Sequence, residues 1–228
     1  MSGRGLRRIS AGLAVFLGVC VGLALGRPVN ATVIYREDFT GQVGKGAVGP
    51  APTIDTAGVG WSVDVSSASL TATDDWLRVE KRDGNAMLEG RDLDGQARWS
   101  SPSVDIAGYR DVEIELWAGG EGDFETSDLY RAAYRVDNGA SETFFDYDGF
   151  TGTGPEEEND APRQFVRSGP LPAGDLLTLS VLMENNAASE MLRLDDIRVT
   201  GTAVPEPATF LLMGLGVFSL CGFRRRKH

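Results

Sequence analysis

Asp111-Val112-Glu113-Ile114-Glu115-Leu116-Trp117-Ala118 is the stretch that decides the fold class. Val112, Ile114 and Leu116 alternate with Glu113 and Glu115. A period of two puts the apolar side chains on one face and the acids on the other, as in a half-buried antiparallel strand. A helix would scatter them around its circumference. Ten further runs have the same alternating or β-branched texture: 33–39, 60–65, 76–82, 86–91, 97–101, 130–137, 142–146, 164–167, 176–184 and 191–200. Asp83-Gly84, Asp94-Gly95 and Asn138-Gly139 stand between runs as hairpin signals. Residues 32–203 carry no helical period of useful length and no internal repeat. Eleven short strands without helices predict an all-β body, a jelly-roll β-sandwich. Residues 41–60 and 149–162 are its long loops, the second solvated around Glu156-Glu157-Glu158.

The two ends read differently. Residues 1–31 have the pattern of a signal peptide: basic Arg4, Arg7 and Arg8, an apolar run over 9–25, then Val29-Asn30-Ala31 with small residues at the cleavage positions. Cleavage after Ala31 by signal peptidase, following passage through the Sec translocon, would start the mature chain at Thr32. Val19 departs from the small residue that a lipoprotein signal places before its cysteine, so Cys20 reads as an apolar residue of the signal.

At the other end, Val204-Pro205-Glu206-Pro207 precedes an uncharged stretch over 208–223, and Arg224, Arg225, Arg226 and Lys227 follow at once. Sixteen residues make a helix of about 24 Å, slightly short for a ~30 Å hydrocarbon core. The basic cluster predicts a transmembrane helix with its C-terminus in the cytoplasm and the body outside. This order and spacing resemble the PEP-CTERM sorting signal of Gram-negative bacteria, here covering 204–228. The resemblance implies an exosortase as partner, a transient inner-membrane anchor, and release of the body near Pro205-Glu206-Pro207.

The ends hold eight of the 22 basic residues and one of the 33 acids. The body, 32–203, therefore carries 14 basic and 32 acidic residues, a formal net charge of −18. Such a surface excludes nucleic acid as a partner and favours divalent cations. The only histidine is His228 and the only cysteines are Cys20 and Cys221, which excludes a Ser-His-Asp triad, a thiol nucleophile, a disulfide and a His- or Cys-ligated metal in the body.

Glu37-Asp38-Phe39 at the opening, Trp61 early in the chain and the closing run Leu194-Asp195-Asp196-Ile197-Arg198-Val199 resemble extracellular carbohydrate-binding and concanavalin-like β-sandwich modules. The resemblance implies a calcium ion between acids of the first and last strands, matched here by Glu37, Asp38, Asp195 and Asp196. The apolar positions of the last run switch phase, from Leu192 and Leu194 to Ile197 and Val199, which predicts a β-bulge at Asp195-Asp196. The rival reading has Arg36 and Arg198 neutralising these acids. Asp92-Leu93-Asp94-Gly95 and Asp146-Tyr147-Asp148-Gly149 begin like calcium loops, without the distal Glu of an EF-hand.

Among the tryptophans, Trp76 behind Asp74-Asp75 is the candidate exposed platform for a sugar, and Trp99 and Trp117 read as core. Glu121-Gly122-Asp123-Phe124-Glu125 resembles the E-x-D-x-E strand of laminarinase-like glycoside hydrolases, whose spacing would put the carboxylates on one face. Three neighbouring glycines and the short body speak for an acidic loop instead. The sequence thus predicts a secreted, non-enzymatic surface or extracellular-matrix protein that binds polysaccharide. The alternatives are a small glycoside hydrolase using Glu121 and Glu125, or a structural matrix component without ligand.

Replacing Pro205 and Pro207 by Ala should leave full-length protein in the inner-membrane fraction. Loss of a C-terminal epitope at the normal rate in that variant would count against recognition of the Pro-Glu-Pro segment.

Overall fold

The computed structural model describes residues 31–122, 124–125, 127–147 and 164–204, all within the unit Ala31–His228. Residues 1–30, read above as signal peptide, the whole loop 149–162, and the sorting signal from Pro205 onward lie outside the described residues.

Fourteen strands and no helix are found among the described residues. They are β1 (Thr32–Glu37), β2 (Gly46–Val48), β3 (Thr53–Asp55), β4 (Ser62–Ser67), β5 (Trp76–Arg82), β6 (Asn85–Arg91), β7 (Gln96–Ser100), β8 (Val104–Asp105), β9 (Tyr109–Glu121), β10 (Leu129–Val136), β11 (Glu142–Tyr147), β12 (Gln164–Arg167), β13 (Leu176–Glu184) and β14 (Met191–Ala203). All eleven expected runs are strands. The three not expected are two or three residues long, too short to show a period. β2 and β3 lie in the segment 41–60, read above as loop, where β2 takes its conformation from pairing with Trp76, Leu77 and Arg78 of β5.

The strands form two antiparallel sheets. The larger has the order β12-β9-β14-β6-β5-β2-β3, with β1 also on β14; the smaller has β11-β10-β13-β7-β4, with β8 on β13. β14 organises the larger sheet. One edge pairs with β9; on the other, 191–194 pair with β6 and 197–201 with β1. Between Asp195 and Arg198 its register against β9 slips by one residue, and Asp196 takes a φ of 46°. The extra residue is a β-bulge at the expected place. It returns Ile197 and Val199 to the face already used by Leu192 and Leu194, and all four are fully buried.

The inner faces share one apolar cluster. Leu77, Val79, Leu88, Ile114 and Leu116 come from the larger sheet, and Trp99, Ala132, Leu177, Leu179 and Val181 from the smaller. Phe39 meets Trp61 and Trp99 edge-on, at centroid distances of 6.0 and 6.2 Å. The Tyr130 hydroxyl on β10 donates to the Arg193 carbonyl on β14 at 2.7 Å, a hydrogen bond from one sheet to the other.

Two of the three turn signals close hairpins. Asp83 and Gly84 both have positive φ, 50° and 88°, as a tight β5–β6 turn requires. Asn138-Gly139 joins β10 to β11. Asp94-Gly95 does not close a hairpin: it carries the chain from β6 in the larger sheet to β7 in the smaller. Leu93 is pinned into the core there, and the amides of Leu93 and Asp94 donate to the Asn185 carbonyl at 2.9 and 3.0 Å.

The outer face of the larger sheet buries charge. Glu89 on β6 has a side chain with no exposure, yet it is fully partnered. Arg82 reaches both its oxygens at 2.8 and 2.6 Å, Arg193 adds a bond at 2.9 Å, and the Trp76 indole N–H donates at 3.3 Å. Burial works to raise the pKa of Glu89, but the bonds from Arg82 and Arg193 outweigh it and hold the carboxyl below the usual Glu range. A depressed carboxyl stabilises the fold above its unfolded pKa and loses that contribution as the pH falls through the folded value. Glu89→Gln should therefore cost about 3 kcal/mol at pH 7, leaving Arg193 short of a buried counter-charge. The gap from wild type in urea denaturation should narrow below about pH 4.

Candidate functional site

The acids expected to hold calcium do not converge. Glu37 lies opposite Ile197 and so faces the core. Its Oε1 accepts from the Phe39 amide at 2.8 Å and from Gln42 Nε2 at 2.9 Å, while Gln42 Oε1 receives the Trp61 N–H at 2.6 Å. Asp195 lies opposite Trp117 on the other face of the sheet, where Asn85 donates to its Oδ2 at 2.6 Å. Burial raises the pKa of both Glu37 and Asp195. Asp38 and Asp196 share Arg36, at 3.2 and 3.4 Å, and Arg198 adds a contact to Asp196 at 3.3 Å. The bulge re-aims Asp196 but leaves Asp195 outside, so arginine neutralisation is the arrangement present. Of the two D-x-D-G segments, Asp92–Gly95 is the sheet crossover, and Asp146 is paired with Arg131 at 2.9 Å; Asp148 and Gly149 lie outside the described residues.

Trp76 is not an exposed platform. It is 7% exposed, and the guanidinium carbons of Arg78 and Arg91 lie 4.3 and 4.9 Å from its ring centroid. Its position on β5 alternates with the core residues Leu77 and Val79, but the arginines and Glu89 cover it from outside. Trp117 is the tryptophan that reaches the surface. Val112, Ile114 and Leu116 face the core, so Trp117 falls with Glu113 and Glu115 on the outer face. It is half-buried, and its six-membered ring covers Gly119, where a Cβ would collide with it. Directly opposite on β12 stands Phe165, 57% exposed.

The outer face of the smaller sheet carries a shallow groove of about 170 Å³. Arg98, Ser100, Tyr134, Arg135, Thr178 and Ser180 line it. Neither arginine has an ion pair among the described residues, which is unusual for so acidic a body.

A different acidic group does converge. Glu125, Asp128 and Glu190 bring ligand oxygens within 4.8 Å of one another, the one such group of three among the described residues. β9 ends at Glu121, so the E-x-D-x-E run does not continue along one strand. Glu121 pairs with Arg193 at 2.7 Å, whereas Glu125 sits in the loop before β10. Asp123 lies outside the described residues. Asp128 and Glu190 are each 1% exposed. Asp128 Oδ2 accepts the Glu125 amide at 2.6 Å, and Glu190 Oε2 accepts the amides of Asn186 and Ala187, both at 3.1 Å. Burial, then the Glu125 charge, push Asp128 up to about 6. Burial, then the charges of Asp128 and Glu125, push Glu190 up to about 7. The spacing of Glu125 and Asp128 alone carries no signal for this site, because Glu190 arrives from a loop sixty residues away.

The description "PEP-CTERM protein-sorting motif" matches residues 203–227. The chain therefore carries the signal of an exported protein processed by an exosortase. No curated protein sequence matches the chain. Among solved structures, the K3 cleaved adhesin domain of Lys-gingipain from Porphyromonas gingivalis is similar at 13% identity and a TM-score of 0.43, covering 75% of this chain and 99% of that one. TmCBM61, solved with beta-1,4-galactotriose, is similar at 16% identity and a TM-score of 0.39, over 61% and 86%. A cyclase from Fischerella sp. TAU is similar at 14% identity and a TM-score of 0.42, over 77% and 99%.

Because Trp76 is packed between two arginines and bonded to a buried acid, Trp76→Ala should cost about 3–5 kcal/mol in urea denaturation. A loss under about 1 kcal/mol would return it to the exposed class.

Proposed function

We propose that this chain is a surface or matrix protein whose body, a jelly-roll β-sandwich, binds extracellular polysaccharide on the outer face of its larger sheet. Two antiparallel sheets around one core support the sandwich. The Trp117–Phe165 pair carries the binding reading: two aromatic side chains opposite each other on the outer face, one half-buried and one exposed. Aromatic rings pack against the C–H faces of sugars, and their polar neighbours bond the hydroxyls. Export through the Sec translocon, signal-peptidase cleavage after Ala31, and transient inner-membrane anchoring by the helix over 208–223 belong to the same proposal.

The body is read as non-catalytic. Glu121 is held by Arg193 on the sheet face, and Glu125 is turned to Asp128 and Glu190, so the pair that a retaining hydrolase would use is divided between two environments.

The groove on the smaller sheet supports a second location for the same class of ligand. Its unpaired Arg98 and Arg135 suit an acidic sugar, and it is smaller than the ~300–1,000 Å³ clefts that enclose a whole small molecule. A polymer crossing that face would place one unit there.

Affinity electrophoresis through gels containing neutral or uronic-acid polysaccharides tests both. Trp117→Ala and Phe165→Ala should each weaken retention at least tenfold, about 1.4 kcal/mol. Phe165→Ala should leave stability within about 0.5 kcal/mol. Retention lost only in Arg98→Ala and Arg135→Ala would move the ligand to the groove. A wild-type protein retained by no polysaccharide would leave the structural role without ligand.

A further inference from the structure

The Glu125–Asp128–Glu190 group gathers three carboxylates, two of them buried, and answers them with backbone amides alone. None of its three members forms an ion pair with a Lys or Arg among the described residues. Asp128 Oδ1 is buried and has no hydrogen-bond partner. A buried carboxylate oxygen with no donor costs several times what a surface one does, and two further carboxylates beside it add repulsion. The loop amides explain one oxygen of Asp128 and one of Glu190. They do not explain why the remaining oxygens are brought together.

We propose that Glu125, Asp128 and Glu190 hold a calcium ion that clasps the crossovers between the two sheets. The location gives the ion a role. The loop 122–128 leads from β9 in the larger sheet to β10 in the smaller, and the loop 185–190 leads from β13 in the smaller to β14 in the larger. The two loops lie close enough that a side chain on Gly122, whose φ is +123°, would collide with the backbone of Ser189 and Glu190. Asn186 reaches across to the Ser127 hydroxyl at 3.0 Å. Asn185, fully buried, donates to the carbonyls of Gly90 and Glu190 at 3.3 and 2.8 Å, and its own carbonyl receives the third crossover at Leu93 and Asp94. An ion here ties both ends of β9–β10 and β13–β14 at one corner.

The ligand set selects the metal. It is all oxygen, and the body contains neither histidine nor cysteine, so soft and borderline metals lack their preferred donors. Irregular loops with one exposed and two buried carboxylates suit the flexible six-to-eight-oxygen sphere of calcium better than the strict octahedron of magnesium, with water completing the sphere. The inference is independent of the sugar-binding reading.

The test is calorimetric titration of calcium chloride into full-length protein in detergent, stripped of metal, alongside thermal unfolding in calcium and in chelator. One calcium per chain should bind, and the melting temperature should rise by several degrees. Asp128→Asn and Glu190→Gln should each weaken binding at least tenfold. Each removes a like charge, so both should melt above wild type in chelator, which separates lost binding from lost fold. Asp38→Asn and Asp196→Asn should bind calcium within twofold of wild type. No heat of binding with identical melting in calcium and chelator would overturn the proposal. So would calcium binding that survives both Asp128→Asn and Glu190→Gln, or binding lost in Asp38→Asn and Asp196→Asn.

Discussion

One extra residue in the last strand governs the larger sheet. β14 bonds to β9 on one edge and hands its other edge from β6 to β1 partway along. Without the slip at Asp195–Arg198, strict alternation would turn either Leu192 and Leu194 or Ile197 and Val199 to the outside. Four fully buried aliphatic side chains depend on that slip, each worth roughly 1.5–3 kcal/mol of burial. The positive φ at Asp196 falls on a residue type that tolerates the left-handed region better than most.

Two of the places where the described residues bury charge answer it by opposite means. Around Glu89 the answer comes from the protein's own side chains: two arginines and an indole supply donors to both carboxylate oxygens. At the corner where the loops 122–128 and 185–190 meet, the protein supplies amides to one oxygen of each buried acid and no cation. The first arrangement is self-sufficient. The second depends on what the surroundings contain, protons or metal, and so makes one corner of the fold responsive to its medium.

The larger architecture was legible because it rests on period and punctuation. All eleven predicted runs are strands, and the phase switch between Leu194 and Ile197 located the bulge. Where local pattern and structure part, the causes are physical. The general tendency of tryptophan to be buried points Trp117 to the core, but the alternation of Val112, Ile114 and Leu116 puts it with the glutamates, and the alternation prevails. The two aspartates before Trp76 suggest exposure, while the arginines that cover it come from its own strand and from β6. Asp94-Gly95 has the chemistry of a tight turn, and nothing local says whether the chain continues in the same sheet. The acidic corner is invisible along the chain because its members meet only through the pairing of β9 with β14 and of β10 with β13.

β14 ends at Ala203, and the Val204 amide still bonds to the Gly108 carbonyl at 2.8 Å, so the sorting motif follows the body with almost no spacer. For a chain that crosses a membrane from its N-terminus, this sets an order of events. The strand on which β1, β6 and β9 all pair is the last part of the body to emerge, and until it does those three lack their common partner. In the proposed export route, completion of the sheet would therefore nearly coincide with arrival of the sorting motif at the membrane. A body still lacking β14 would not yet have presented that motif, so the order of synthesis would itself hold back release of an unfinished sheet.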